Sequence, residues 1–358
     1  MPNPIVYVWK SRSQKGNFTP EEISAASYDL LSNLGLEIEQ KKILIKPNVT
    51  IPATRESGIV TDCAHVEGIV RWCLDNGYSN RAVSIGEGGG VWMPLAYCVA
   101  GFADLAQAYD IKLHSFNDLR LGYVEQKCDF VKDRIEQIGR RQRIARRAID
   151  PSTFVINAPK LKNHNAMAIT ICIKNLMGTQ HPHDRSLCGI SREYAAKKRM
   201  DYERRFAHEM CNLYQNARPD FNMVDGVISR MGSGFHDGEN FPLGLTVAGV
   251  DGFAVDFACS YFMGYNPEHL HLFKEAHKKG FAPGHIGDID VKLVSEKSIK
   301  DVGGKALEKL SSPRGFWVKY HREWRGEKKK GYKLEEYYPG LYRKKVMARN
   351  SDHAEGAF

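Results

Sequence analysis

The stretch that decides the fold is residues 151–184, PSTFVINAPKLKNHNAMAITICIKNLMGTQHPHD. Residues 153–157 are a short apolar run that follows a proline and closes on a polar residue, a pattern that predicts a buried strand. A second apolar run covers residues 167–173. Polar side chains follow both runs: Lys160, Lys162, Asn163, His164 and Asn165 after the first, and Lys174 and Asn175 after the second.

The position of these polar residues predicts a ligand site. In open α/β sheets, ligands lie just beyond the carboxyl ends of the strands. Ammonium and amide groups gathered there suit an anionic small molecule that carries a carboxylate or a phosphate. The alternative is that the lysines are solvated loop residues and the histidines are ordinary satisfied polar groups.

Strand-like and helix-like segments alternate outward from this stretch. Residues 4–9, 42–45, 81–85 and 111–116 are strand-like on one side, and residues 221–227 and 243–249 on the other. Helical spacing separates most of them, with a start signal at Thr19-Pro20-Glu21-Glu22. The alternation predicts an α/β protein with a doubly wound, mainly parallel sheet, helices on both faces and right-handed crossovers.

Further candidate binding residues follow other strand-like runs or begin helices. The sequence Gly86-Glu87-Gly88-Gly89-Gly90 could bring N–H groups close to an anion, although it lacks the dinucleotide-binding spacing. The bland alternatives are exit turns, a strained loop and helix caps. The candidates outside the central stretch are Lys46, Asn48, Thr61, Asp62, Glu87, Gly88, Gly89, Asp225, Asp251 and Asp256.

Length and composition are those of an ordinary globular protein. The chain has 358 residues, of which 42% are hydrophobic and 26% charged. No apolar run is long enough to span a membrane, and the N-terminus lacks the pattern of a secretory signal, so a cytoplasmic location is expected. The eight cysteines are scattered without a closely spaced run, which predicts reduced thiols and no ferredoxin-type segment.

The net charge of +9 is concentrated near the C-terminus. Residues 314–349 hold twelve Lys and Arg against four Asp and Glu, interleaved with eight aromatic residues. Residues 1–310 are expected to form a single α/β domain, and residues 311–358 a basic, aromatic extension. The extension is predicted to pack on the domain or on the partner in a homodimer; the alternative is nucleic-acid binding by stacking and phosphate neutralisation.

Several motifs together resemble one known family. They are Lys46-Pro47-Asn48, Thr61-Asp62, the Pro-Lys-Leu-Lys-Asn-His segment at 159–164, the Ile-Lys-Asn-Leu-Met-Gly segment at 173–178, Val224-Asp225-Gly226 and residues 249–256. In this order they resemble the "domain of unknown function 362" family, over a core of about residues 40–285. The resemblance implies a Rossmann-like fold. It also implies a redox context for those members that carry an added ferredoxin-type segment, which this sequence lacks.

The central residues suit proton transfer. A buried lysine can act as a base or form a Schiff base because desolvation lowers its pKa, and histidine titrates near neutrality. We therefore predict an enzyme that acts on an anionic small molecule by isomerisation, elimination or carbon-acid chemistry. The predicted catalytic residues are His164, Lys160, Lys174 and Asp251.

A metal centre is the main alternative chemistry. His181, His183 and Asp184 lie within four residues, and His208 or His164 could complete a shell for zinc, nickel or iron. The cofactor is therefore left open, with a divalent metal or a cluster built from distant cysteines as alternatives.

Overall fold

The computed structural model describes residues 2–11, 16–128, 142–165, 167–185, 199–312 and 315–318. Within these residues the strands form one twelve-stranded sheet and a separate two-stranded sheet. The strands are β1 (Ile5–Lys10), β2 (Lys42–Pro47), β3 (Val83–Glu87), β4 (Lys112–Ser115), β5 (Tyr123–Gln126), β6 (Gln142–Ala145), β7 (Thr153–Ala158), β8 (Lys160–His164), β9 (Ala168–Thr170), β10 (Phe221–Arg230), β11 (Asn240–Phe241), β12 (Leu245–Gly249), β13 (Asp290–Ser295) and β14 (Ser298–Asp301).

The helices pack against the large sheet. They are α1 (Pro20–Leu34), α2 (Cys63–Asp75), α3 (Met93–Val99), α4 (Phe102–Ala108), α5 (Cys172–Asn175), α6 (Arg199–Asn216), α7 (Gly252–Phe262), α8 (His271–Lys278) and α9 (Gly304–Glu308). Among the described residues, none of these helices has both the length and the apolar character required to cross a bilayer.

The large sheet is mostly parallel. Its main path runs β14-β13-β1-β12-β10-β7-β2-β3-β4, with β8 and β11 attached to β10 and β9 attached to β8. Strands β10, β7, β2, β3 and β4 pair in parallel, whereas β12 runs antiparallel to both of its neighbours. The predicted α/β class with a mainly parallel sheet is confirmed, and β12 is the exception that matters for the site.

The core lies on both faces of the sheet. Successive side chains of a strand point to opposite faces. In β2, Ile43 and Ile45 join the hydrophobic cluster that includes α1, α2 and α4, while Leu44 joins the one that includes α6 and α7. The helices therefore cover both faces, as the sequence predicts.

Local signals in the sequence explain the first helices. Thr19 and Glu22 form a capping box at the start of α1, and Gly35 ends it with a left-handed conformation. The Asp62 side chain accepts a hydrogen bond from the backbone N–H of Ala64 and so caps α2. Both helix starts follow from residues with a specific capping chemistry.

Two parts of the central stretch differ from the sequence prediction. Residues 160–164 are not a loop after a strand but form β8, which pairs in parallel with β10. The apolar run at 167–173 is split between β9 and the start of α5, so Lys174 and Asn175 lie on a short helix instead of at a strand end. Apolar runs of this length do not distinguish a strand from a buried helix.

The C-terminal extension lies almost wholly outside the described residues. Of its described part, Phe316 is buried, and its backbone N–H donates to the carbonyl of Met263. The predicted packing of the extension and its alternative, nucleic-acid binding, both fall mainly on residues 319–358, so they stay predictions.

Gly68→Ala tests the close packing of α1 on α2. A Cβ atom at Gly68 would lie 2.1 Å from the Ser24 carbonyl oxygen and 2.3 Å from Ser27 Oγ. Alanine favours helix by up to about 1 kcal/mol, but overpacking costs about 1–3 kcal/mol. We expect a net loss of stability in urea unfolding, whereas Gly287→Ala, which meets open space, should unfold like the wild type. A Gly68→Ala variant more stable than the wild type would show that the helices separate without cost.

Candidate functional site

Strand β8 places three candidate residues on one side of the chain. Lys160, Lys162 and His164 alternate with Leu161 and Asn163, and alternate residues of a strand share a face. Leu161 belongs to the hydrophobic core, and Asn163 Nδ2 donates to the Ala168 carbonyl and to Tyr265 Oη. The candidate side chains of β8 therefore lie on one face of the strand, and Leu161 and Asn163, which contact the protein interior, lie on the other.

Lys160 forms a buried ion pair. Its Nζ lies 2.8 Å from Asp225 Oδ2, and the two side chains are 1% and 0% exposed. The same oxygen accepts a hydrogen bond from the backbone N–H of Asp62. Burial and the nearby negative charge of Asp225 raise the pKa of Asp62, which Arg55 partly offsets through a 2.9 Å ion pair.

A second buried ion pair joins Lys46 and Glu87. The Lys46 Nζ lies 2.8 Å from Glu87 Oε2, and both side chains are almost fully buried. Burial lowers the pKa of Lys46, and the charge of Glu87 opposes this shift. Gly178 permits the pair, because a Cβ atom there would lie 1.8 Å from Glu87 Oε1.

The glycine-rich loop after β3 uses its own N–H groups. Gly88 donates to Glu87 Oε1, Gly89 to Met93 Sδ and Gly90 to the Thr50 carbonyl. A Cβ atom at Gly88 would lie 2.4 Å from the Gly178 carbonyl oxygen. These glycines serve close packing around Glu87, and their N–H groups already have partners inside the protein.

Lys162 differs from the two paired lysines. Its side chain is buried, its Nζ donates to the Ile59 carbonyl at 2.6 Å, and it lies 5.0 Å from the centre of the Phe235 ring. Among the described residues no carboxylate pairs with it. Burial lowers the pKa of Lys162 well below its ordinary value, and the positive charges of Lys174 and Lys160 lower it further.

Lys174 and His164 complete the group. The Lys174 Nζ lies 5.6 Å from the centre of the Phe206 ring, and within the described part of the chain no carboxylate binds it. His164 packs edge-on against the same ring, and its Nδ1 accepts a hydrogen bond from the Met167 N–H. A neutral His164 therefore carries its proton on Nε2. We call Lys46, Lys160, Lys162 and Lys174 the lysine cluster.

Four buried asparagines connect the site across the sheet. Each Nδ2 donates to the next Oδ1, in the order Asn48, Asn175, Asn157 and Asn222, at 3.1, 2.8 and 2.9 Å. The last Nδ2 donates to the carbonyls of Gly249 and Val250. Next to this asparagine ladder, Thr61 accepts from the Asn48 N–H and donates to the Ala158 carbonyl.

Asp256 holds the helix that carries Lys174. Its carboxylate accepts the N–H groups of Cys172 at 2.7 Å and Ile173 at 3.0 Å, at the start of α5. Burial raises the pKa of Asp256 to about 7, against the opposing effect of these hydrogen bonds. The aspartate therefore fixes the first residues of α5, the helix that carries Lys174 and Asn175.

Asp251 lies away from the lysine cluster. Because β12 is antiparallel to β10, Gly249 at its carboxyl end pairs with Asn222 near the start of β10. Lys160 instead pairs with Asp225, further along β10. The Asp251 carboxylate caps α7 and, within the described residues, its one ion pair is the 3.8 Å contact with Arg218.

The four predicted metal ligands do not form one shell. His181 Nδ1 accepts the His183 N–H, and Asp184 is held by Arg143 at 2.6 Å. His208 lies on α6, where its Nδ1 is 3.1 Å from Glu275. The described residues contain no group of three or more His, Cys, Asp or Glu side chains arranged to hold a metal ion.

Two arginines near the cluster were missed from the sequence. Arg185 donates to the carbonyls of Gly89, Gly178 and Gln180, and burial lowers its pKa. Arg230 likewise donates to carbonyls, among them that of Phe235, and burial lowers its pKa. Neither arginine was among the polar residues singled out after a strand-like run. Arg230 lies opposite Lys162 because β8 and β10 pair, and this pairing cannot be read from the sequence.

The site therefore has more basic than acidic side chains among the described residues. Glu87 and Asp225 each neutralise one lysine, and Asp62 pairs with Arg55. Lys162, Lys174 and the two carbonyl-bound arginines keep no carboxylate among the described residues. Since burying charge without a partner is costly, this arrangement favours an anionic ligand.

Comparisons with known proteins show that the lysine cluster lies in the segment that matches a protein family. The model of the family described as "Domain of unknown function (DUF362)" matches residues 43–261, which include the whole lysine cluster. A thylakoid-associated protein of Synechocystis sp. is 26% identical over 183 residues, or 51% of this chain and 51% of that protein. The chain thus spans about half the length of this curated relative.

A solved structure was also found. It is a protein from Thermotoga maritima, and the alignment covers 70% of this chain and 60% of the Thermotoga chain, with a TM-score of 0.36 and 10% sequence identity.

Substituting the two lysines of β8 should have opposite effects on stability. Lys160→Met leaves the buried Asp225 carboxylate without its cation and should cost about 3–5 kcal/mol. Lys162→Met removes a buried amine with no carboxylate partner, so its stability in urea unfolding at pH 7 should equal or exceed that of the wild type. Equal losses in both variants would mean that Lys162 also stabilises the fold.

Asp256→Asn tests the charge state of the buried carboxyl. With a raised pKa, Asp256 keeps its proton in the folded protein between its ordinary pKa and about 7, where the unfolded chain loses it. Its contribution to stability therefore falls as the pH rises through this window, by about 1.4 kcal/mol per unit of pKa difference. We expect a smaller drop in stability from pH 4.5 to pH 7.5 in the variant; an identical drop would refute the raised pKa.

Proposed function

The chain belongs to the DUF362 family, and we propose that it is an enzyme that acts on an anionic small molecule at the lysine cluster. The proposed chemistry is acid–base catalysis on a carbon acid, as in an isomerisation or an elimination. One observation carries the proposal: Lys162 is buried beside other cations and has no carboxylate partner among the described residues.

The roles follow from the contacts of each side chain. Lys174 is partly exposed and unpaired within the described residues, so it is suited to bind the carboxylate or phosphate. Lys162 is suited to remove a proton, because its lowered pKa leaves a larger share of free amine near neutral pH. Because the His164 Nδ1 accepts a hydrogen bond from the Met167 N–H, the proton of a neutral His164 is on Nε2, which is the atom assigned to acid–base chemistry in this proposal.

In this proposal Lys46 and Lys160, the two lysines in ion pairs, provide fixed positive charges. Lys46 and Lys160 are held by Glu87 and Asp225 and cannot turn toward a ligand without breaking a buried ion pair. Fixed positive charges favour the negative charge that develops when a carbon acid loses its proton. Lys160, predicted to be catalytic, is therefore better assigned to positioning and electrostatics.

The place of the protein in the cell is also a proposal. A cytoplasmic location is the expectation from the sequence, whereas the name of the Synechocystis relative suggests association with a membrane. Fractionation of cells, followed by a high-salt wash of the membrane fraction, would distinguish the two. The predicted homodimer and the nucleic-acid contact remain secondary possibilities outside this proposal.

Hydrogen–deuterium exchange at carbon tests the proposed chemistry. In D2O the protein should catalyse loss of C–H signals from members of a panel of small carboxylates and phosphate esters, followed by proton NMR. Lys162→Met and His164→Gln should each slow exchange by about 10²-fold or more, the usual contribution of a general acid or base. Lys174→Gln should mainly weaken binding, seen as a higher KM.

The exposed Lys41 provides a matched control. Lys41→Gln removes one positive charge from the surface and should leave the exchange rate unchanged. Exchange at the wild-type rate in Lys162→Met, or no thermal stabilisation of the wild type by inorganic phosphate or malonate, would count against the proposed site.

A further inference from the structure

We propose that Lys162 is a covalent binding site, whose amine condenses with the carbonyl carbon of a small aldehyde or ketone that bears a carboxylate or phosphate. This inference rests on the proposed function for the place where the anion binds. It adds a class of substrate and a covalent intermediate to that function.

The comparison of three buried lysines in one site carries the argument. Lys46 and Lys160 each have a carboxylate oxygen at 2.8 Å, which balances the positive charge of the ammonium group. Lys162, equally buried, has the Ile59 carbonyl as its hydrogen-bond acceptor in the described structure. Lys162 therefore differs from Lys46 and Lys160 in having a neutral carbonyl instead of a carboxylate as its hydrogen-bond acceptor.

One acceptor suits an amine better than an ammonium group. An ammonium has three N–H donors and a positive charge, and burying these without enough acceptors or a counter-ion is costly. A neutral amine that donates to Ile59 keeps a lone pair on its nitrogen. The lowered pKa of Lys162 agrees with this geometry, because burial and the charges of Lys174 and Lys160 all disfavour the protonated form.

The surrounding charges define the rest of the ligand. Among the described residues Lys174 has no carboxylate partner, and its positive charge lowers the pKa of Lys162, so an anionic group beside the carbonyl would be bound there. The partly exposed Phe235 ring, whose centre lies 5.0 Å from the Lys162 Nζ, offers an apolar surface beside the amine. A short carbon chain with a carbonyl and an anionic end matches these three features.

The condensation balances without any other reactant. The nitrogen lone pair attacks the carbonyl carbon, a C–N bond forms, and the C=O bond breaks as oxygen leaves in water. Both amine hydrogens end in that water and an imine remains. When the imine takes up a proton it regains one N–H, which can donate to the Ile59 carbonyl as the amine did.

Reductive trapping of the full-length protein tests the inference. The protein is incubated with pyruvate, a carboxylate ketone, or dihydroxyacetone phosphate, a phosphate ketone, and reduced with sodium borohydride. Acetone serves as the neutral comparison. Peptide mass spectrometry then measures the adduct at Lys162, at the paired Lys46 and Lys160, and at the exposed Lys41.

The expected result is an adduct at Lys162 with at least one anionic ketone. Its yield at pH 7 should exceed that at the exposed Lys41 by about tenfold or more, because burial and the neighbouring cations favour the free amine of Lys162, and acetone should give much less. Lys162→Arg should abolish this adduct, and Phe235→Ala should speed its formation. The arm that reacts, pyruvate or dihydroxyacetone phosphate, identifies the anionic group.

Other outcomes overturn the inference or its premise separately. Adducts spread over surface lysines, or no adduct at Lys162 with either ketone, would overturn the covalent site. Because the adducts are mapped on the wild-type protein, this conclusion does not depend on how well the variants fold. If phosphate still stabilises the protein in that case, the proposed function stands without the imine. If neither anion binds but acetone labels Lys162, the amine is reactive and the proposed anion site is wrong.

Discussion

The carboxylate of Asp225 holds the centre of the structure together. One of its oxygens accepts hydrogen bonds from Lys160 on β8 and from the backbone N–H of Asp62 at the start of α2. It thus joins β10, β8 and the first crossover helix after β2 through a single buried atom. Removing Lys160 or Asp225 would leave an unpaired charge in the protein interior, which is why this contact constrains the rest of the site.

The site contains charges that the fold does not need. A protein that required only stability would replace a buried lysine such as Lys162 by an apolar residue, because desolvating an amine without a counter-ion costs free energy. Residues that destabilise a fold are commonly those on which activity depends. In the proposed function, the lack of a carboxylate partner among the described residues distinguishes Lys162 from its paired neighbours Lys46 and Lys160, which stabilise the fold through their ion pairs.

The sequence predicted the class of fold and much of the site, because alternating apolar segments and polar strand ends have direct physical causes. Lys46, Glu87, Lys160 and Asp225 do converge in two ion pairs. Asp251 was a candidate because it follows a strand-like run, but β12 is antiparallel to β10, and strand direction is decided by tertiary pairing.

For other features of the site, the signal in the sequence was weaker or absent. The alternation of Lys160, Lys162 and His164 could have indicated a strand, and a polar Asn157 within an apolar run could have indicated a buried contact. The sequence could not show which lysine lacks a carboxylate, since pairing depends on distances between strands. The asparagine ladder also has one direction throughout, with every amide donating toward α7. Neither Asn175 nor Asn157 can turn over alone without opposing like groups at both neighbouring amides, and the Gly249 and Val250 carbonyls fix the orientation of Asn222, so the ladder couples the site to the segment that precedes α7.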